Sequence, residues 1–198
     1  MKHSLFSLVL AVAMLLAAPL AYASLIHLHA DLIGANEFPP VVSAGTGIGD
    51  FDLDTTAQTL HGHIVFSGLT GTTTASHIHC CLASPFLTGV NVGVATLVPA
   101  FPGFPMGVTS GTDDFVLDLS SAAAYNPQFV TLQGGLANAE AAFIAGLLTG
   151  RTYLNIHTNF APGGEIRGFV AVPEPMTSSL LVLGLAAAGL VSRRRRRI

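Results

Sequence analysis

The apolar and polar positions fall mostly into period-two stretches separated by glycine and proline. In Leu25–Ile33, Ile26, Leu28, Ala30 and Leu32 form one side, and His27, His29 and Asp31 the other. Side chains on a strand point to alternate faces, so this is the pattern of a half-buried strand. Ile48–Asp54 repeats it, with Phe51 and Leu53 inward and Asp50, Asp52 and Asp54 outward; so does Leu60–Leu69, with Leu60, Ile64 and Phe66 inward and His61 and His63 outward. Ser76–Cys81, Phe115–Leu119, Tyr153–Thr158 and Glu165–Val172 read as further strands, and Val90–Val98 is rich in β-branched residues. Gly34–Pro40, Gly68–Gly71, Pro99–Gly111 and Ala161–Gly164 carry the turn residues that break them. One segment has helical character: Asn138–Thr149, with Asn138 as its cap, Gly150 as its stop and Phe143, Leu147 and Leu136 on its apolar face. Seven or so short strands and one helix predict an all-β fold, an antiparallel β-sandwich or barrel of Greek-key-like connectivity.

The ends follow a different logic. Residues 1–23 have a basic start, an apolar run from Leu5 to Ala18, and Ala21-Tyr22-Ala23 before Ser24, the pattern of a secretory signal peptide. Residues 173–198 begin Pro173-Glu174-Pro175, continue through an apolar run from Leu180 to Val191 and end in Arg193–Arg197. Such a run is a short membrane helix whose arginines stay on the cytoplasmic side. The expected organisation is a signal segment 1–23, a β domain 24–172 and a sorting segment 173–198.

Charge sharpens the picture of the middle. Residues 24–172 contain ten acids, two arginines and no lysine, a net charge of −8 against −3 for the whole chain. Nucleic acid is excluded as a partner, because backbone binding needs clustered basic residues. Cations suit the domain better.

The chemistry lies in its histidines. Eight histidines scattered at random over 198 residues would give roughly 0.3 His-x-His pairs, and the chain has three: His27/His29, His61/His63 and His77/His79. On a strand each pair shares one face, about 7 Å apart, close enough to lean onto one ion. If the strands of the first two pairs were neighbours, their four imidazoles would form a surface cluster. The Asp50-x-Asp52-x-Asp54 row lacks the glycine and distal glutamate of a calcium loop and reads as a solvated strand face. Three imidazoles with an open position suit copper or zinc, and His77, His79 and the distant His157 are the candidate ligands, with Glu165 or Asn155 to orient them. Cys80 and Cys81 are the only cysteines. In an oxidising compartment the choices are a vicinal disulfide, free thiols, metal thiolates or links to another chain.

Several segments together resemble the CHRD (chordin-type) domain: Leu32–Val41 with its Asn36-Glu37-Phe38-Pro39-Pro40, Gly68-Leu69-Thr70-Gly71, His77-Ile78-His79, Tyr153–Thr158 and Pro162–Gly168. The resemblance spans about residues 25–170 and implies an all-β extracellular module without a settled activity. The tail, through Pro173, Glu174, Pro175, its apolar run and its arginines, resembles the PEP-CTERM sorting signal. That implies a Gram-negative bacterium, an exosortase-type enzyme that cuts near the motif, and delivery to the cell surface or an exopolysaccharide matrix. No nucleophile–base motif such as Gly-x-Ser-x-Gly is present, so no catalytic residue is assigned. The expected function is a non-catalytic envelope or matrix module binding polysaccharide or an envelope protein. The alternatives are a copper- or zinc-binding protein using His77, His79 and His157, and a redox metalloenzyme.

Overall fold

The computed structural model describes residues 25–173. The signal segment, the sorting motif beyond Pro173 and the tail helix expected from the sequence lie outside the described residues. Among the described residues no helix is long and apolar enough to cross a membrane.

The alternating stretches become seven strands: β1 (Leu25–Ile33), β2 (Thr46–Asp54), β3 (Thr59–Ser67), β4 (Thr73–Cys80), β5 (Gly111–Asp118), β6 (Thr152–Thr158) and β7 (Ile166–Val170). All pair antiparallel in one curled sheet of order β4-β6-β7-β1-β2-β3-β5. β1, β2 and β3 form a meander, whereas β4 leaves it for the far edge and pairs with β6.

One face of the sheet is the core. Leu28, Leu32, Phe51, Leu53, Leu60, Ile64, Phe66, Phe115, Leu117, Leu154, Ile156 and Ile166 are all buried there. Among the described residues no second sheet covers them. The covering comes from the segment after β4 and from two helices, α1 (Pro127–Leu132) and α2 (Leu136–Leu148). In the proline-rich loop Phe101 stacks on Phe115 at 4.1 Å between centroids, and Phe104 on Phe66 at 5.4 Å. On the neighbouring strand the Phe115 ring lies over Gly62, where a Cβ would be 2.3 Å from it.

Three expectations are corrected. Val90–Val98 is not a strand of the sheet. It runs beside the free edge of β4 with isolated bridges His79↔Val94 and Ser76↔Ala100 nearby, because Gly93 and the turn at Pro99 leave too short a run for a ladder. The main helix begins at Leu136, capped by Gly135 at φ 131°, and Asn138 sits in its first turn with its side-chain amide donating to the Gln133 carbonyl. The helix does stop at Gly150, which has φ 66°. A second helix precedes it. Asn126 caps it by accepting from the Gln128 amide and Pro127 opens its first turn, a start signal present in the sequence.

Candidate metal centre

Strand pairing fixes which side chains share a face, since directly opposed residues project together. His77 on β4 opposes Asn155 on β6, Asn155 opposes Arg167 on β7, and Arg167 opposes Ile33 on β1. His79 opposes Tyr153, which opposes Phe169. His157 opposes Ala75, one step along the same face. Ile33 shares its face of β1 with His27 and His29, whose row continues through Asp50 and Asp52 to His61 and His63. All seven histidines among the described residues therefore lie on the face opposite the core.

That face has two halves. Over β1, β2, β3 and β5 it is open to solvent. Over β4, β6 and β7 it is roofed by the loops around Glu37–Val41, Val90–Val92 and Asn159–Gly164, and there the three predicted ligands come together. His77 and His79 are 5% and 8% exposed, and His157 is partly buried. Ring centroids stand 4.6 Å apart for His77 and His157, 4.9 Å for His77 and His79, and 6.2 Å for His79 and His157.

Hydrogen bonds set the tautomers. His79 Nδ1 is 2.7 Å from the Val92 carbonyl and His157 Nδ1 is 2.8 Å from the Pro162 carbonyl. A carbonyl only accepts, so both Nδ1 atoms carry the proton and both Nε2 atoms carry a lone pair. Those Nε2 atoms and His77 Nδ1 are buried without a partner. One ligand atom from each of the three histidines lies within 4.8 Å of the other two. Tetrahedral zinc with bonds of about 2.1 Å needs ligand nitrogens roughly 3.4 Å apart, so modest side-chain adjustments close the site.

Burial first, then the neighbouring histidines, pushes His77 down to about 3. Burial likewise pushes His79 down to about 4, against the opposing bond to Val92, and lowers His157. The three rings are neutral at ordinary pH, the state a metal ligand requires. Unpaired polar atoms at such depth are otherwise costly, and two Nε2 lone pairs beside an unpartnered His77 Nδ1 fit an ion.

The orienting groups are backbone carbonyls, not Glu165 or Asn155 as the sequence suggested. Glu165 is committed elsewhere. It accepts from the Ser43 hydroxyl at 2.5 Å, the Thr70 amide at 2.6 Å, the Thr158 hydroxyl at 2.6 Å and the Gly71 amide at 3.1 Å. Burial alone would raise this carboxyl; the four bonds outweigh it and hold the group below the usual range.

Sequence reasoning missed the polar layer beside the histidines. Tyr153 stacks on His79 at 4.6 Å and 10°, and the buried Arg167 guanidinium lies 4.5 Å from the Tyr153 centroid. Arg167 Nε donates to the Asn36 carbonyl, and Arg167 Nη1 to Asn91 Oδ1 at 3.0 Å. Glu37 lies 4.0 Å from Arg167 and accepts from the Asn155 amide at 3.5 Å; burial, only partly countered by Arg167, pushes it up to about 7. The signal was Asn36-Glu37 ahead of two prolines, an acid in an otherwise apolar turn. Cys80 and Cys81 are bonded to each other and pack against Gly146 of α2, so neither thiol is offered to the imidazoles.

An antiparallel all-β module with three imidazoles gathered under loops on one sheet face is thus the class that fold and site define. The segments that build it come from distant parts of the chain: Asn36-Glu37 meets Arg167, Gly68–Gly71 meets Glu165, and His77 and His79 meet His157. The chain belongs to the CHRD domain family, whose domain it matches over residues 28–170. Residues 171–197 match the PEP-CTERM protein-sorting motif, which marks an exported protein of a Gram-negative bacterium, sorted via the membrane and processed by an exosortase. Neither a curated protein nor a solved structure matches the chain.

Proposed function

We propose that this protein is an exported, non-catalytic CHRD module of the cell envelope or extracellular matrix that holds one copper or zinc ion through His77, His79 and His157. The supporting observation is the convergence of three neutral, buried imidazoles whose unpartnered nitrogens face one another. Three nitrogen donors and an open fourth position suit Zn²⁺ or copper, and carbonyl-bonded Nδ1–H groups are the usual outer support of such ligands. The domain's acidity favours a cation as its cargo, and the sorting tail delivers it to the envelope.

Metal analysis of the protein isolated from the envelope is the direct test. The expected result is about one equivalent of copper or zinc, lost on chelation and regained on calorimetric titration. His79→Ala should remove the saturable tight binding. Metal-free protein that takes up no ion tightly, or a His79→Ala variant that binds as the parent does, would overturn the reading. A superoxide or oxidase assay on the copper-loaded protein decides between holding the ion and using it.

A further inference from the structure

The other two histidine pairs are not absorbed by that reading. Their strands are not neighbours; β2 lies between them and turns two pairs into a lattice. Across β1, β2, β3 and β5 one row reads His29, Asp50, His63, Asp114 and the adjacent row His27, Asp52, His61, Val116. Each of Asp50 and Asp52 thus stands between two imidazoles from opposite sides. His29 Nδ1 bonds Asp50 at 2.6 Å, His63 Nδ1 bonds Asp114 at 2.6 Å, and His27 Nδ1 bonds Asp52. A carboxylate accepting from Nδ1–H leaves Nε2 as the lone-pair nitrogen and fixes the ring, the arrangement found behind metal-bound histidines. His29 is the exception: Asp31 stands 3.3 Å from its Nε2, and the Asp50 hydrogen bond, with Asp31, raises this ring above the ordinary imidazole value despite burial, so it is the lattice ring least free for an ion. A groove of 340 Å³ opens over Asp50, Asp52, His61, His63 and Asp114.

We propose that this exposed lattice is a second binding surface for copper(II) or zinc ions, separate from the three-histidine pocket and weaker than it. Opposed residues on adjacent strands hold their Cβ atoms about 5 Å apart, so one ion can take an imidazole from one strand and a carboxylate from the next. Mixed nitrogen and oxygen donors suit both metals. Among the described residues only the pocket brings three ligand atoms within 4.8 Å, so the lattice supplies fewer protein ligands per ion and water completes the shell. Weaker, exchangeable binding follows. Nothing basic sits on the lattice: the domain has no lysine, Arg167 is buried within the polar layer, and Arg151, just before β6, donates to the Leu82 carbonyl. The lattice and the pocket share one sheet face, so ions gathered on the open half are held close to the roofed half.

The test is a calorimetric titration of the metal-stripped full chain in detergent with Cu²⁺ and with Zn²⁺, accompanied by copper paramagnetic resonance. The expected isotherm has a tight class and at least one further, weaker equivalent showing nitrogen coupling. Substituting the four lattice residues together (H27Q, H29Q, H61Q and H63Q, all surface positions) should weaken the second class at least tenfold and leave the tight class intact. Asp50→Asn with Asp52→Asn should weaken the second class about 10- to 100-fold, by removing the carboxylates opposed to His63 and His61 and the groups behind His29 and His27. The His79→Ala variant should show the reverse, losing the tight class and keeping the weak one, so the two sites fail independently. An isotherm without a weaker class, or one that the fourfold substitution leaves unchanged, overturns the proposal.

Discussion

Each histidine owes its behaviour to what stands behind its ring. His79 and His157 have carbonyls behind them and burial around them, which leaves a neutral ring with an inward lone pair. Because His77 and His79 are pushed down to about 3 and 4, zinc entering the pocket at pH 6 should displace no protons from these two rings, and the buffer dependence of the calorimetric enthalpy should correspond to less than one proton. Release of two or more protons would mean the rings are not held as described. Glu165 illustrates the same dependence on surroundings: Glu165→Ala strands the donors of Ser43, Thr70, Gly71 and Thr158. The expected loss is about 3 kcal/mol or more, read as a shifted denaturation midpoint. Gly164 has φ 127°, and a Cβ there would lie 2.4 Å from Asn155 Oδ1 and 2.6 Å from Glu37 Oε1. Gly164→Ala combines backbone strain with that clash and should cost at least about 2 kcal/mol in the same measurement.

Among the elements, β6 carries most of the site. It supplies His157, Asn155 and Tyr153 to the polar face while Leu154 and Ile156 anchor it in the core, so nearly the whole strand is buried. β4 does the same with His77 and His79 outward and Ile78 inward. This doubly buried character is why periodicity was informative for β1, β2 and β3, where one side meets water, and less so for β4 and β6. α2 closes the core end of this unit with Phe143 and Leu147 fully buried. Phe143→Ala should cost about 3–5 kcal/mol, seen as a lower melting temperature, and should leave metal stoichiometry unchanged wherever the protein remains folded.

At the scale of the molecule, buried titratable groups couple stability to pH. The pocket histidines have folded-state values below the ordinary 6.5, so their contribution is fully present above pH 6.5 and is lost as the unfolded chain takes up protons below it. Glu37 works the other way: raised to about 7, it favours the fold below pH 4.5 and loses that contribution as pH rises through 7. Between pH 6.5 and 4.5 His77 and His79 outweigh the one carboxyl, and His157 acts in the same direction. The metal-free protein should lose stability on acidification, on the order of 1 kcal/mol per pH unit, measured by denaturant unfolding across that window. Stability that stays flat or rises on acidification would show that the imidazoles are not buried in the folded state.

Much of this was legible in the chain. Alternation alone placed β1, β2 and β3 and their inward residues, because a strand with one wet face records its orientation residue by residue, while Phe115–Leu119 marked only the second half of β5. The excess of His-x-His spacings marked the chemistry, and the family segments pointed to His77, His79 and His157 as one group. Tertiary pairing decided the rest. Only the β4–β6 register shows that these imidazoles meet, only the loops around Val92 and Pro162 show which nitrogens face inward, and only the insertion of β2 between β1 and β3 turns two histidine pairs and an aspartate row into one lattice. Such facts depend on which strands become neighbours, and neighbours are chosen by the packing of the whole sheet, not by the residues adjacent in sequence.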